Sequence, residues 1–148
     1  MALTFLFLSI MLLSTVCLVK AATRSFTVPS GEEITEILSL AVEDHVTIIF
    51  TVGGLTEGTV NFYMTFPNGT LKEFGRRASL DYRFICDLKG EYILHFSNEY
   101  STQSVLVTLN YEIQHYIFGI PQTLFFTLII AAVCVAAVTA FILMGRQH

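Results

Sequence analysis

The sequence predicts an all-β fold, an antiparallel β-sandwich of seven to eight short strands, followed by one C-terminal transmembrane α-helix. Three observations carry this. Apolar residues recur at every second position through the middle of the chain, the period of a half-buried strand. Gly, Pro and Asn punctuate those runs at turn-like intervals. Leu124 to Met144 forms 21 residues without a charge or a proline. The composition agrees, because the 148 residues are 53% hydrophobic and only 14% charged, with a mean hydropathy of +0.64. A soluble domain carries about 25% charged residues. The balance excludes a disordered charged tail protein and argues against an ordinary cytosolic enzyme.

The chain opens on an uncharged stretch from Ala2 to Val19, closed by Lys20 and then Ala21 and Ala22. An apolar run followed by small residues reads as a secretory signal over residues 1–21, with Val19 and Ala21 at the small-residue positions before the cut. The basic start is missing, so an uncleaved anchor is the alternative, since about 18 apolar residues nearly span a bilayer.

Five strands are the best supported. They are Val46 to Val52, Val60 to Phe66, Leu80 to Leu88, Tyr92 to Phe96 and Val105 to Ile113. Weaker candidates are Phe26 to Val28, Ile34 to Leu40 and Leu71 to Phe74. Pro67-Asn68-Gly69-Thr70 predicts a hairpin turn. Lys89-Gly90 predicts a second tight reversal, pairing Leu80–Leu88 with Glu91–Phe96. Seven or eight short strands at this spacing describe a sandwich over residues 22–116. This segment holds all twelve acids and six of the eight bases, a net charge near −6. Such a surface disfavours nucleic acid and anionic headgroups as partners.

Residues 117–123 read as an interfacial linker, with Tyr116 and Phe118 as headgroup-level anchors. The span Leu124–Met144 is about 31 Å long as a helix, matching a hydrocarbon core of about 30 Å. Pro121 stands just before it, where a helix start tolerates proline. Arg146, in the tail 145–148, is the one charge beyond it and places the C-terminus in the cytoplasm. The topology is single-pass, with the domain on the lumenal or extracellular side of the endoplasmic reticulum/Golgi or cell membrane. Ala132, Ala136 and Ala140 recur every fourth residue and are candidate helix–helix contacts, for a homo- or hetero-oligomer in the bilayer. Alanine's abundance in such helices explains the same spacing. Thr139 is a candidate for an added interhelical hydrogen bond.

Cys17 falls in the signal and Cys134 in the span, which leaves Cys86 alone in the domain and no internal disulfide. Alternation points Cys86 into the core beside Phe84 and Leu88. An intermolecular disulfide is the other reading. Asn68-Gly69-Thr70 is an N-glycosylation sequon on an exposed turn. Glu32, Glu33, Glu36, Glu43 and Asp44 form an acidic cluster, read as a solvated edge that discourages aggregation. The competing reading is a docking face for a basic partner or a weak calcium site. Residues 53–58 are either a binding loop or a flexible connector. Arg76-Arg77 reads as a loop charge pair, and His95 as a surface residue. No phosphate loop, dinucleotide fingerprint, nucleophile elbow or paired-His helix is present, so catalytic, cofactor and metal residues are none and the chain is read as no enzyme.

The segment from Gly90 to Ser101 has the pattern Gly90-x-Tyr92-x-x-x-Phe96-x-Asn98, followed by a last strand. This resembles the C-terminal signature of the GOLD (Golgi dynamics) domain, over roughly Phe26 to Ile113. Gly90 would permit the reversal, Tyr92 and Phe96 would anchor the core, and Asn98 and Ser101 would close a turn on their own backbone. The order of signal, domain, helix and tail is similar to the cargo-receptor family of the early secretory pathway. That resemblance implies recognition of protein partners, including cargo. The family's coiled coil, lumenal cysteine pair and coat-binding tail signals are missing here, so coat recruitment does not carry over. The alternative is a small accessory subunit of a larger membrane complex, bound mainly through its helix.

Overall fold

A computed structural model describes residues 20–53 and 58–145. The described residues divide into two units, one ending at His115 and one running from Tyr116 onward. Residues 1–19, 54–57 and 146–148 lie outside the description. The proposed signal therefore falls largely outside it, as do Gly54 to Glu57 and the tail from Arg146.

The first unit holds β1 (Lys20–Val28), β2 (Glu33–Leu40), β3 (His45–Gly53), β4 (Val60–Thr65), β5 (Leu71–Arg77), β6 (Ser79–Ile85), β7 (Gly90–Ser97) and β8 (Val105–Gln114). They build two four-stranded antiparallel sheets, in the orders β1-β8-β3-β6 and β2-β7-β4-β5. Four of the five strongly alternating segments supply the inner strands β3, β4, β7 and β8; the fifth, β6, lies at a sheet edge with the weaker candidates β1, β2 and β5. This follows from burial, since an inner strand must carry apolar side chains throughout its inward face.

The inward faces interlock as one core. Phe50, Phe62 and Phe96 are fully buried, and their ring centroids lie 4.9, 5.0 and 5.3 Å apart in tilted and edge-on pairs. Ile48, Met64, Leu94, Val107 and Leu109 fill the space around them. The two open sides are stitched differently. Between β1 and β2, Arg24 meets Glu36 at 2.9 Å. Between β5 and β6, Phe74 packs on Tyr82 at 4.8 Å, and Lys72 Nζ donates to the Tyr82 hydroxyl at 2.7 Å.

The β4–β5 hairpin forms as the sequence predicts. Phe66 N–H donates to Thr70 O at 2.8 Å, and Gly69 adopts φ +81°. Arg76 and Arg77 end β5 rather than forming a loop pair, because a bulge after Phe62 lengthens that strand. The second predicted hairpin does not form. Strand β6 ends at Ile85 and pairs with β3, whereas β7 lies between β2 and β4 in the other sheet. Residues 86–89 cross the sandwich, tied by Cys86 N–H to Asp44 O at 2.8 Å. Both strands need an apolar face inward, and facing sheets satisfy that as well as adjacency does.

The second unit contains β9 (Tyr116–Ile117), β10 (Ile120–Pro121) and α1 (Gln122–Gly145). Phe118 and Gly119 have φ +52° and +72°, the positive values that a two-residue hairpin turn needs. Helix α1 starts directly after Pro121. It is the one helix among the described residues that is long and apolar enough to cross a membrane. The Thr139 hydroxyl donates back to Val135 O within the helix, which occupies the donor expected to reach a neighbour.

Candidate functional site

The outer face of β2-β7-β4-β5 carries the most organised surface chemistry among the described residues. Register places its side chains in cross-strand rows. One row runs Ile37, Ile93, Thr65, Leu71, through the pairs Ile37↔Ile93, Ile93↔Thr65 and Thr65↔Leu71. Ile37 is 56% and Leu71 61% exposed, so this row is a mostly apolar strip open to solvent at both ends, interrupted by Thr65. The next row runs Thr35, His95, Tyr63, Glu73. On the opposite face of the sandwich, exposed Ile49, Ile85 and Leu106 stand in separate rows. Between the Ile49 and Leu106 rows lies one composed of Ser25, Thr108, Thr51 and Ser79.

Glu33 leans over the second row and fixes it. His95 Nδ1 lies 2.8 Å from Glu33 Oε1, and its Nε2 lies 2.9 Å from Thr65 Oγ1. The carboxylate only accepts, so His95 Nδ1 donates to Glu33, while Nε2 and the Thr65 hydroxyl share the second hydrogen bond. Tyr63 stacks on His95 at 4.3 Å between ring centroids and donates to Glu33 Oε2 at 2.5 Å. That bond, with partial burial and the nearby negative charge, pushes the Tyr63 hydroxyl up to about 12. Burial pulls Glu33 upward, but the hydrogen bonds from Tyr63 and His95 outweigh it and hold the carboxyl below its ordinary value. His95 is thus a half-buried member of a network rather than a plain surface residue. The four polar side chains have partners in one another, which leaves the apolar strip as the part of the face with unused binding capacity.

The motif residues sit elsewhere. Tyr92 and Phe96 are buried in the core. Burial, with the contact to Cys86, pushes the Tyr92 hydroxyl up to about 12. Cys86 is buried as expected, and its Sγ reaches Leu88 O at 3.1 Å and the Tyr92 hydroxyl at 3.3 Å. Leu88 itself is exposed, not in the core, because β6 has already ended. Gly90 opens β7 at φ +153°, where a Cβ would also lie 2.7 Å from Pro67 Cβ, so it serves the local backbone and close packing rather than a hairpin reversal. Asn98 reaches beyond its own turn: Nδ2 faces Val28 O, Pro29 O and Gln103 O at 3.1, 3.2 and 2.9 Å. Ser101 does close its turn, exchanging hydrogen bonds with Gln103.

The acidic cluster does not hold together as one edge. Glu33 and Glu36 are on β2, but Asp44 is buried, accepting from Ala41 N–H at 2.8 Å and meeting His115 Nδ1 at 2.6 Å. No group of three metal-ligating side chains converges among the described residues. An open recess of about 260 Å³ lies against His45, Thr47, Arg83 and Gln114 on the opposite sheet. Asn68 is exposed at the tip of the β4–β5 turn. Ala132, Ala136 and Ala140 are all exposed on α1.

Sequence reasoning missed Ile37, Leu71, Glu33, Tyr63 and Thr65 as members of one surface. Alternation alone assigns each to an outward face, but only the order β2-β7-β4-β5 makes them neighbours.

No family model and no curated protein matches the chain. Solved structures to which the chain shows some similarity include periplasmic inhibitors of g-type lysozyme. That of Aeromonas hydrophila is 17% identical, with a TM-score of 0.49, over 64% of this chain and 86% of that one. That of Salmonella Typhimurium is 13% identical, with a TM-score of 0.45, over 64% and 87%. The mitogen derived from Yersinia pseudotuberculosis is 12% identical, with a TM-score of 0.43, over 66% and 89%.

Proposed function

We propose that this chain is a non-enzymatic, single-pass membrane protein whose exported β-sandwich binds protein partners through the outer face of β2-β7-β4-β5. The observation that carries the reading is the alignment of exposed Ile37 and Leu71 with half-buried Ile93 in one cross-strand row. Apolar strips of this kind, bordered by fixed polar groups, are what protein contacts desolvate first. Glu91 borders the strip on one side through its pair with Ser39, and Glu73 borders it on the other. The partner is therefore a protein segment presenting an apolar ridge with basic flanks. The GOLD-type resemblance fits a recognition role, and its motif residues serve the core and turns rather than the contact surface. Helix α1, apolar and long enough to cross a membrane, supplies the anchor.

The test is photocrosslinking in native membranes from Ile37 and Leu71, with Thr51 on the opposite sheet as the comparison position. Protein adducts from Ile37 and Leu71, absent from Thr51 and lost in I37E/L71E, are expected. Adducts formed only from α1 positions such as Val133 and Ala136 would replace this reading with that of an accessory subunit held by its helix.

A further inference from the structure

We infer that Asn68 carries an N-linked glycan, an inference that rests on the exported placement of the sandwich. Of the four asparagines, only Asn68 has a hydroxyl residue two positions later with a non-proline residue between. Two physical requirements must then be met. The folded domain must accommodate a bulky group on the side-chain nitrogen, and that nitrogen must not be needed for folding.

Both are met. Pro67, Asn68, Gly69 and Thr70 are all exposed, at the tip of the β4–β5 hairpin. Asn68 Oδ1 accepts from Thr70 N–H at 3.0 Å and from the Thr70 hydroxyl at 2.7 Å. These bonds fix the carboxamide by its oxygen and leave Nδ2 without a protein partner among the described residues. The turn is held by backbone bonds, Gly69 N–H to Phe66 O at 2.9 Å and Phe66 N–H to Thr70 O at 2.8 Å. Substituting Nδ2 therefore breaks nothing that holds the hairpin. Asn98 is the contrast, since its Nδ2 is committed to three carbonyls and it is 2% exposed.

The donor is a polyprenyl-pyrophosphate-linked oligosaccharide, and the catalyst is a membrane oligosaccharyltransferase. Asn68 Nδ2 bonds to the anomeric carbon while the bond from that carbon to the pyrophosphate oxygen breaks. The lipid pyrophosphate leaves with the electron pair, and the amide proton passes to a base on the transferase. The glycan stands three residues from Leu71, so it fences one end of the apolar strip.

The experiment translates the full chain into microsomes that contain the transferase. Wild type is expected to gain the mass of one glycan, removable by peptide N-glycosidase. The gain should vanish in N68Q and T70A and persist in T70S. A control variant, E99N, makes a second sequon over exposed positions 99–100 and Ser101. If E99N gains one glycan that survives N68Q while wild type gains none, the domain is exported and the Asn68 inference is overturned alone. If neither is modified and protease outside the vesicles digests the domain, the inference falls together with the exported placement.

Discussion

Replacing Asn98 by alanine should unfold the sandwich well before any surface change does. The carboxamide has two N–H groups, shared among the carbonyls of Val28, Pro29 and Gln103. It thereby ties the β1–β2 connection to the β7–β8 connection, next to backbone bonds from Asn98 N–H to Glu32 O and from Gly31 N–H to Asn98 O. Truncation removes two hydrogen bonds of about 1 kcal/mol each and strands the buried Val28 O, and at most one of the part-buried carbonyls, at about 1 kcal/mol each. One gain offsets this, since Asn98 Oδ1 is itself buried without a partner among the described residues, and its removal returns about 1 kcal/mol. The net cost is about 2–3 kcal/mol, equivalent to a fall in Tm of about 10–20 °C for a domain of this size. N98D should be worse than N98A at neutral pH, because a buried carboxylate would face carbonyl oxygens with no proton to donate. Lowering the pH protonates that group, so N98D should regain stability relative to N98A on acidification. Circular dichroism melts of the full chain in detergent read all of these. An N98A transition within about 3 °C of wild type would refute the role assigned to Asn98, given about 4–8 °C per kcal/mol.

Other substitutions separate packing from charge. G90A forces a Cβ to within 2.7 Å of Pro67 Cβ and should cost about 1–3 kcal/mol. P67G should relieve only the contact's part of that in a double-mutant cycle read by urea unfolding, since φ +153° strains an alanine there regardless, and additivity would show that the contact is not a cause. Glu33 titrates below its ordinary 4.5, so it contributes stability above about pH 4.5 that is lost as pH falls through the folded value. E33Q should flatten the acid limb of the melting profile. Tyr63 is raised from 10.0 to about 12, so its contribution is complete below pH 10 and is lost as pH rises toward 12. Tyrosinate absorbance should show a late-titrating group that Y63F removes and E33Q moves earlier, leaving Tyr92 as the other late one. E36Q should leave the same melts almost unmoved, because Arg24 is largely solvated.

The strands were legible because each must bury one face, and burial leaves a mark at every second residue. Val46, Ile48 and Phe50 carry it plainly. Edge strands carry it less, as Glu36 shows by standing at an inward position of β2 and meeting Arg24 at the rim. Pairing was harder to read. Leu80–Phe84 and Tyr92–Phe96 both have an inward apolar face, and a four-residue connection serves adjacent strands or opposite sheets equally. What decides between them is Asp44. Its backbone oxygen accepts from Cys86, its side chain caps Ala41 N–H, and it is buried against His115. An aspartate among glutamates reads as one more surface charge, and nothing local marks it as the post that holds the crossing.

The proposed recognition face was illegible for a related reason. Ile37 and Leu71 are 34 positions apart and lie on outer faces, where the alternating pattern imposes no apolar requirement. An exposed leucine at one position is ordinary. Three apolar side chains in one cross-strand row are different, because a partner can desolvate them together while Glu33, His95 and Tyr63 stay hydrogen-bonded to each other. The polar network thus reduces the cost of docking beside it, as none of its members must surrender a water-facing bond to pair. This arrangement also makes the two halves of the face separable by experiment. I37E should abolish partner crosslinking and leave the Tyr63 titration near 12, while E33Q should shift the titration and spare the crosslink. Loss of both properties in either variant would mean that the strip and the network act as one unit, and that the partner reads His95 and Tyr63 directly.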